Sequence, residues 1–292
     1  MRSWIKESHP ITPRRPHFDF TRTPKHWVAD DPLATQMLNV INPITPAPER
    51  WFCQTFRDAL PLIRDERLRA AAIAFIKQEG AHSHGHTLGT RRLEELGMDL
   101  GDYGQLMNRI FDELLGPRPL GRELKNPRAK LAWLKTRLAM VAAAEHLTGV
   151  LGHWVLNAEI FQDAVTDPAM ADLCLWHAAE EVEHREVADA MFRHISGNIP
   201  LRTAAALVTF PLFGALAYIG IRELVTKDPD LPHRFRVRDY LRAARQGRIP
   251  GPALMLKAGL RYLAPGHSPL REGNTEQALA VLARYEASAI QH

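Results

Sequence analysis

The stretch Trp176-His177-Ala178-Ala179-Glu180-Glu181-Val182-Glu183-His184 carries the fold class of this chain. On an α-helix, His177, Glu181 and His184 fall within about 60° of one another, and Glu180 adds a carboxylate at the edge of that arc. Three metal-capable side chains on one inward stripe point to a metal site. An earlier stretch, Gln78-Glu79-Gly80-Ala81-His82-Ser83-His84-Gly85-His86, repeats the pattern with Glu79, His82 and His86 on one arc. Two Glu-x-x-His helices are what a carboxylate-bridged dinuclear centre takes from two helices of a four-helix bundle.

Such a centre needs one lone glutamate from each of two further helices, at the same height. In an antiparallel pair, residues at one height lie equally far from the connecting turn. With a turn near Ile63, Glu79 lies about sixteen residues beyond it and Glu49 about fourteen before it, a mismatch of about 3 Å. With a turn near Val165, Glu181 and Glu145 differ by about 6 Å, whereas Glu159 misses by about 15 Å. Glu145 also sits on an apolar helix rich in small residues, where an unpaired buried carboxylate is costly and a cation would neutralise it.

The expected ligand set is therefore Glu49, Glu79, His82, Glu145, His177, Glu181 and His184, with Glu181 and Glu79 as the catalytic residues and one or the other bridging. His177 is the third imidazole, or else a hydrogen-bond partner of a ligand. His86 either binds metal or lines the pocket, and Glu180 either bridges or holds a ligand imidazole. His84 and Glu183 point off their stripes toward solvent, and His146 and His153 are rotated too far from Glu145 to join it. Gly149 and Gly152 leave open space beside the site for dioxygen or a substrate.

Around this centre, residues 1–46 hold seven prolines, which exclude a long helix and imply an extended arm whose aromatic side chains (Trp4, Phe18, Phe20, Trp27) pack on the domain. Residues 47–200 form the bundle. Its helices run from about Glu49 to Ala59, Leu68 to Leu96, Arg128 to Phe161, and Pro168 to about Gly197, with a long Gly- and Pro-rich crossover over 97–127. Residues 201–292 add helices packed on the bundle, ending in an amphipathic one over Thr275 to Ile290. Thr203 to Ile221 has no charge and is long enough to span a bilayer, but Pro211, Gly214 and Gly220 interrupt it, so a kinked helix or helix pair against the bundle is the favoured reading and membrane contact the lesser one.

A chain of 292 residues, 46% hydrophobic, can bury one large core. Its net charge of +4 is spread out, so nucleic acid is not an expected partner, although Arg14, Arg15 and the stretch Arg234 to Arg248 leave anionic surfaces open. Cys53 and Cys174 are too few for a disulfide framework and read as core fillers. No leader pattern opens the chain, so a cytoplasmic location is expected, with peripheral membrane contact as the option through 203–221.

Two motifs, Pro46-Ala47-Pro48-Glu49-Arg50-Trp51-Phe52 and Trp176 to His184, resemble those of a bacterial family labelled predicted metal-dependent hydrolases, over about residues 30 to 230. The ligand pattern is also similar to that of the p-aminobenzoate N-oxygenases, diiron enzymes of ferritin-like architecture. His177, Glu181 and His184 match their His-x-x-x-Glu-x-x-His helix, Glu79 and His82 their first Glu-x-x-His, and Glu49 and Glu145 their lone carboxylates. The resemblance implies an all-α, ferritin-like four-helix bundle.

A glutamate-rich cage with two or three imidazoles suits iron, with manganese or zinc as alternatives. The leading expectation is a diiron oxidase or oxygenase acting on a small organic substrate with dioxygen and an electron donor. The alternatives are a metal-dependent hydrolase using the same residues, and a non-enzymatic iron-binding bundle. A homodimer is left open.

Overall fold

Prolines and short polar side chains set the helix boundaries. In a computed structural model, which describes residues 4–6 and 9–288, α1 (Pro32–Asn39), α2 (Ile41–Ile44) and α3 (Pro46–Ala59) lead into α4 (Glu66–Glu95). A crossover carrying α5 (Gly101–Asn108) leads to α6 (Pro127–Asn157), α7 (Pro168–His184) and α8 (Val187–Ile195). The chain then continues through α9 (Ile199–Lys227), α10 (Val237–Arg245), α11 (Pro252–Leu263) and α12 (Thr275–Leu282). Among the described residues there is no strand, only an isolated bridge between Val28 and Thr166. The fold is all-α.

The starts of the bundle helices are chemically marked. The side chains of Asp65, Asn126 and Asp167 accept hydrogen bonds from the amides of Leu68, Arg128 and Met170, satisfying donors that the first turn leaves open. Pro127 and Pro168 occupy first-turn positions where no amide donor is missed. A short turn at Leu60–Leu62 folds α4 back on α3, and α6 packs along α7 in the same way. α3 also meets α6, and α4 meets α7, which closes a four-helix bundle. Phe56 and Phe75 stack with ring centroids 4.3 Å apart inside it, and Phe75 meets His184 edge-on at 4.8 Å, so the apolar core reaches the metal-capable stripe directly.

The arm packs firmly: Phe18, Phe20 and Trp27 are buried, Phe18 lies against Trp176, and the Trp27 indole donates to Asn39 Oδ1 at 2.6 Å. It is not extended throughout, however. Asp31 caps α1 with Pro32 in its first turn, so residues 32–44 are short helices rather than arm. The fourth bundle helix is also interrupted, ending at His184 and resuming at Val187. There the Arg185 side chain donates to the Val182 carbonyl, the group that the Glu186 amide would use in an unbroken helix. α6 stops at Asn157, because Ala158 turns extended.

α9 is one helix with Pro211 inside it, not a pair, and it packs mainly on α6 and α1. It alone among the described residues is long and apolar enough to cross a membrane. α12 ends at Leu282 and continues as a tighter turn to Ser288; the remainder of the helix expected to Ile290 lies outside the described residues.

Candidate metal centre

Four helices each turn one face inward at the same height. α3 brings Glu49, α4 brings Glu79 and His82, α6 brings Glu145, and α7 brings His177, Glu181 and His184, all of them buried. Their donor atoms fall into two groups: Glu49, His82, His177 and Glu181, and Glu79, Glu145, Glu181 and His184. Within each group the donors lie within 4.8 Å of one another, close to the limit of about 4.4 Å for donors about 2.0–2.2 Å from a common ion. Glu181 belongs to both groups, one oxygen to each: Oε1 is 2.9 Å from His177 Nε2, and Oε2 is 3.5 Å from His184 Nε2.

Every imidazole presents one nitrogen to this centre and commits the other to a fixed partner. His82 turns Nδ1 toward Glu79 and Glu181, each 3.7 Å away, while its Nε2 donates to Glu180 Oε2 at 3.0 Å. His184 faces Glu145 and Glu79 with Nε2, at 3.2 and 3.3 Å, while Nδ1 donates to Gln78 Oε1 at 3.0 Å. His177 Nε2 faces Glu49 and Glu181, and its Nδ1 stands 2.6 Å from His86 Nε2. Such outer partners select the tautomer and hold the ring plane, which is how proteins orient imidazole ligands.

Apart from His177 Nε2 and Glu181 Oε1, which bond each other at 2.9 Å, the inner atoms lack such partners. Among the described residues, Glu49 Oε2, both oxygens of Glu79 and of Glu145, Glu181 Oε2, His82 Nδ1 and His184 Nε2 are buried without a hydrogen bond. Buried polar atoms are ordinarily satisfied, and a convergent set that is not, all lone-pair donors, fits a cationic group. The carboxyls show the same tension. Burial, then the charges of Glu181 and Glu145, push Glu49 well above its ordinary range, and burial with Glu145 and Glu181 does the same to Glu79. Burial and Glu181 raise Glu145 to about 7. Burial alone would raise Glu181 and lower His184, yet their attraction prevails, holding Glu181 well below its usual value and lifting His184 to about 10.

Glu180 and His86 stand behind these inward donors. Glu180 supports His82 and is itself held by Arg14 Nη1 at 3.3 Å, and His86 supports His177 and reaches Asn42 Oδ1 with Nδ1 at 3.0 Å. Glu183 is not solvated as its position off the stripe suggests: it is buried between Arg14, at 3.2 Å, and Gln78 Nε2, at 2.6 Å. Arg14 is likewise no surface charge but a buried cation from the arm that anchors both carboxylates. Arg14, Gln78, Asn42 and Glu183 are therefore supporting residues that ligand spacing does not flag. The one signal in the sequence is a buried-type helix face carrying more polar residues than the ligand stripe needs.

His84 and His153 are exposed, and the buried His146 bonds the Ala258 carbonyl through Nε2, away from the centre. Cys53 and Cys174 are buried, and burial pushes both thiols up to about 12, which suits packing rather than reactivity. Gly149 and Gly152 do not leave open space toward α7. A Cβ at Gly152 would lie 2.7 Å from the Ala178 carbonyl oxygen and 3.1 Å from Glu181 Cβ, and one at Gly149 would touch Arg185 Cβ at 3.4 Å. These glycines let α6 and α7 approach closely. Gly152 nonetheless lines, as expected, a cavity of about 500 Å³ that meets Glu49, Glu79, His177 and Glu181 and runs outward between Phe52, Met140, Phe210, Leu216 and Tyr240, almost entirely apolar.

This chain belongs to the family of predicted metal-dependent hydrolases, whose model matches residues 12–273. No curated protein and no solved structure matches it.

Proposed function

We propose that the chain is a dinuclear metal-dependent hydrolase acting on a substrate with an apolar body. The observation that carries this reading is the shared Glu181, which joins two groups of unsatisfied donors at the end of an apolar cavity. The family's description supports hydrolysis over the oxidative chemistry that the ligand pattern alone suggests. Divalent ions held by Glu49, His82, His177 and Glu181, and by Glu79, Glu145, Glu181 and His184, would make water acidic enough to serve as a nucleophile and polarise the bond to be cleaved.

The protein's own contribution is positional. Outer partners hold each imidazole in the tautomer whose lone pair faces inward. The apolar walls keep bulk water from the reacting bond and align the substrate along the cavity. Glu49 lies where the cavity meets the centre, so the ion it would help to hold faces the substrate.

The donor set itself favours a second reading. Four carboxylates with three imidazoles in a helical bundle suit iron and dioxygen, with an electron donor as partner. A non-enzymatic iron-binding bundle, by contrast, has no use for a substrate-sized cavity at its donors. Loading the metal-free protein with zinc, manganese or ferrous iron and assaying apolar esters and phosphoesters beside oxygen consumption separates these readings. Hydrolysis with zinc or manganese, lost in Glu49→Gln, is expected. Oxygen uptake confined to the iron form, without hydrolysis under any metal, would overturn the proposal.

A further inference from the structure

α9 turns an unusual face to solvent. From Ala204 to Ile219 every exposed residue on it is apolar or is Tyr218, over a length of about 22 Å. Leu207 and Val208 are 61% and 57% exposed. α11 packs beside α9, with Gly259 against Phe210, and adds Leu256 and Leu260, 66% and 61% exposed, one turn apart. Isolated exposed leucines are ordinary, but a continuous two-helix apolar face is not.

Two further observations say what covers it. The first is charge: Arg222 ends the α9 face, and the stretch 234–248, which packs on the Ile221 and Val225 end of α9, contains six arginines against the single Asp239. An apolar face edged by arginine is complementary to an anionic lipid surface. The second is the cavity: Gly214, Tyr218 and Val237 both line it and stand exposed, so its mouth opens on this same face.

We infer that the α9–α11 face docks on an anionic phospholipid bilayer and that the cavity draws its apolar substrate from that bilayer. The helix lies in the interface rather than crossing it, because its opposite side, including Arg202, Thr209, Leu216 and Leu224, is buried against the bundle. The substrate route rests on the proposed enzymatic reading, whereas the docking itself does not.

Flotation of the full chain with vesicles of phosphatidylcholine, alone or mixed with phosphatidylglycerol, tests the inference. The protein is expected to float with the mixed vesicles, less with phosphatidylcholine alone, and less as salt rises. Val208→Asp with Leu256→Asp, both at exposed positions, should abolish flotation while leaving metal content and thermal melting unchanged. Each of Arg238→Gln and Arg242→Gln should weaken it about fivefold. Failure of the unaltered chain to float, or flotation of the Val208/Leu256 variant like the parent, would overturn the proposal. So would a dimer on size exclusion that this variant converts to monomer, since the face would then cover a second copy. Flotation without any hydrolysis would leave docking standing and sink the enzymatic reading, and hydrolysis of a water-soluble short-chain ester without flotation would do the reverse.

Discussion

His86 Nε2 stands 2.6 Å from His177 Nδ1, and His86 Nδ1 stands 3.0 Å from Asn42 Oδ1. With the Asn42 oxygen accepting, His86 donates through Nδ1, so its Nε2 accepts from His177 Nδ1–H. With metal bound, that would leave the His177 Nε2 lone pair for an ion held with Glu49 and Glu181, in place of its 2.9 Å hydrogen bond to Glu181 Oε1. His86→Ala removes the acceptor without touching the donor groups, and should weaken metal binding about 10- to 100-fold. Competition titration of cobalt against a chelator reads the loss. His86→Gln, which can still accept at the amide oxygen, should recover part of it, and unchanged affinity in His86→Ala would show that the pair does not hold the ligand.

The protonation of the centre predicts how stability follows pH in the metal-free protein. Glu180, pushed to about 8 by burial and Glu183, and His184, lifted to about 10, keep protons in the folded state at pH values where the unfolded chain has released them. The folded state then binds more protons, so stability falls as pH rises between about 7 and 9. His82 and His86, held well below their ordinary value by burial and by His177, are neutral in both states over that window and add no slope. Bound metal would require His184 deprotonated at Nε2, so the melting gap between metal-loaded and metal-free protein should widen with pH. Thermal melts with and without chelator at pH 7, 8 and 9 measure it, and a gap that narrows would contradict this protonation scheme.

The bundle and its inward stripes were legible because helical periodicity and level-matching are local arithmetic: Glu49, Glu79, Glu145 and Glu181 can be placed from turn positions alone. What periodicity does not carry is the tertiary company of each residue. Arg14 reaches Glu180 and Glu183 from more than 160 positions away, a separation on which spacing is silent. The Asp31-Pro32 start of α1 carries the same cap-and-proline chemistry as Asp167-Pro168, but the proline density around it masks the signal. The glycines of α6 were ambiguous in kind: a missing side chain makes a hole, a close approach or, as at Gly152, both, and only the position of α7 decides which.

That position gives a prediction of its own. Gly152→Ala would place a methyl 2.7 Å from the Ala178 carbonyl oxygen and 3.1 Å from Glu181 Cβ, against helix backbone that has little freedom to move. Overpacking of this kind costs about 1–3 kcal/mol. Because α7 would be pushed outward at Glu181, metal affinity should fall together with the melting temperature. Gly80→Ala, where nothing lies within 4 Å of the added carbon, should leave metal affinity unchanged and raise the melting temperature slightly, since alanine is favoured over glycine by about 0.5–1 kcal/mol inside a helix. Equal behaviour of the two variants would place the α6–α7 contact elsewhere.

The central claim is that Glu181 joins two metal-binding groups into one centre. Electron paramagnetic resonance of the manganese-loaded protein at two ions per chain tests it most directly. An exchange-coupled spectrum is expected for the parent chain, replaced in Glu181→Ala by loss of bound manganese or by the signal of isolated ions. A parent protein that binds one ion or none, or whose spectrum is that of isolated ions and is unchanged in Glu181→Ala, would contradict it.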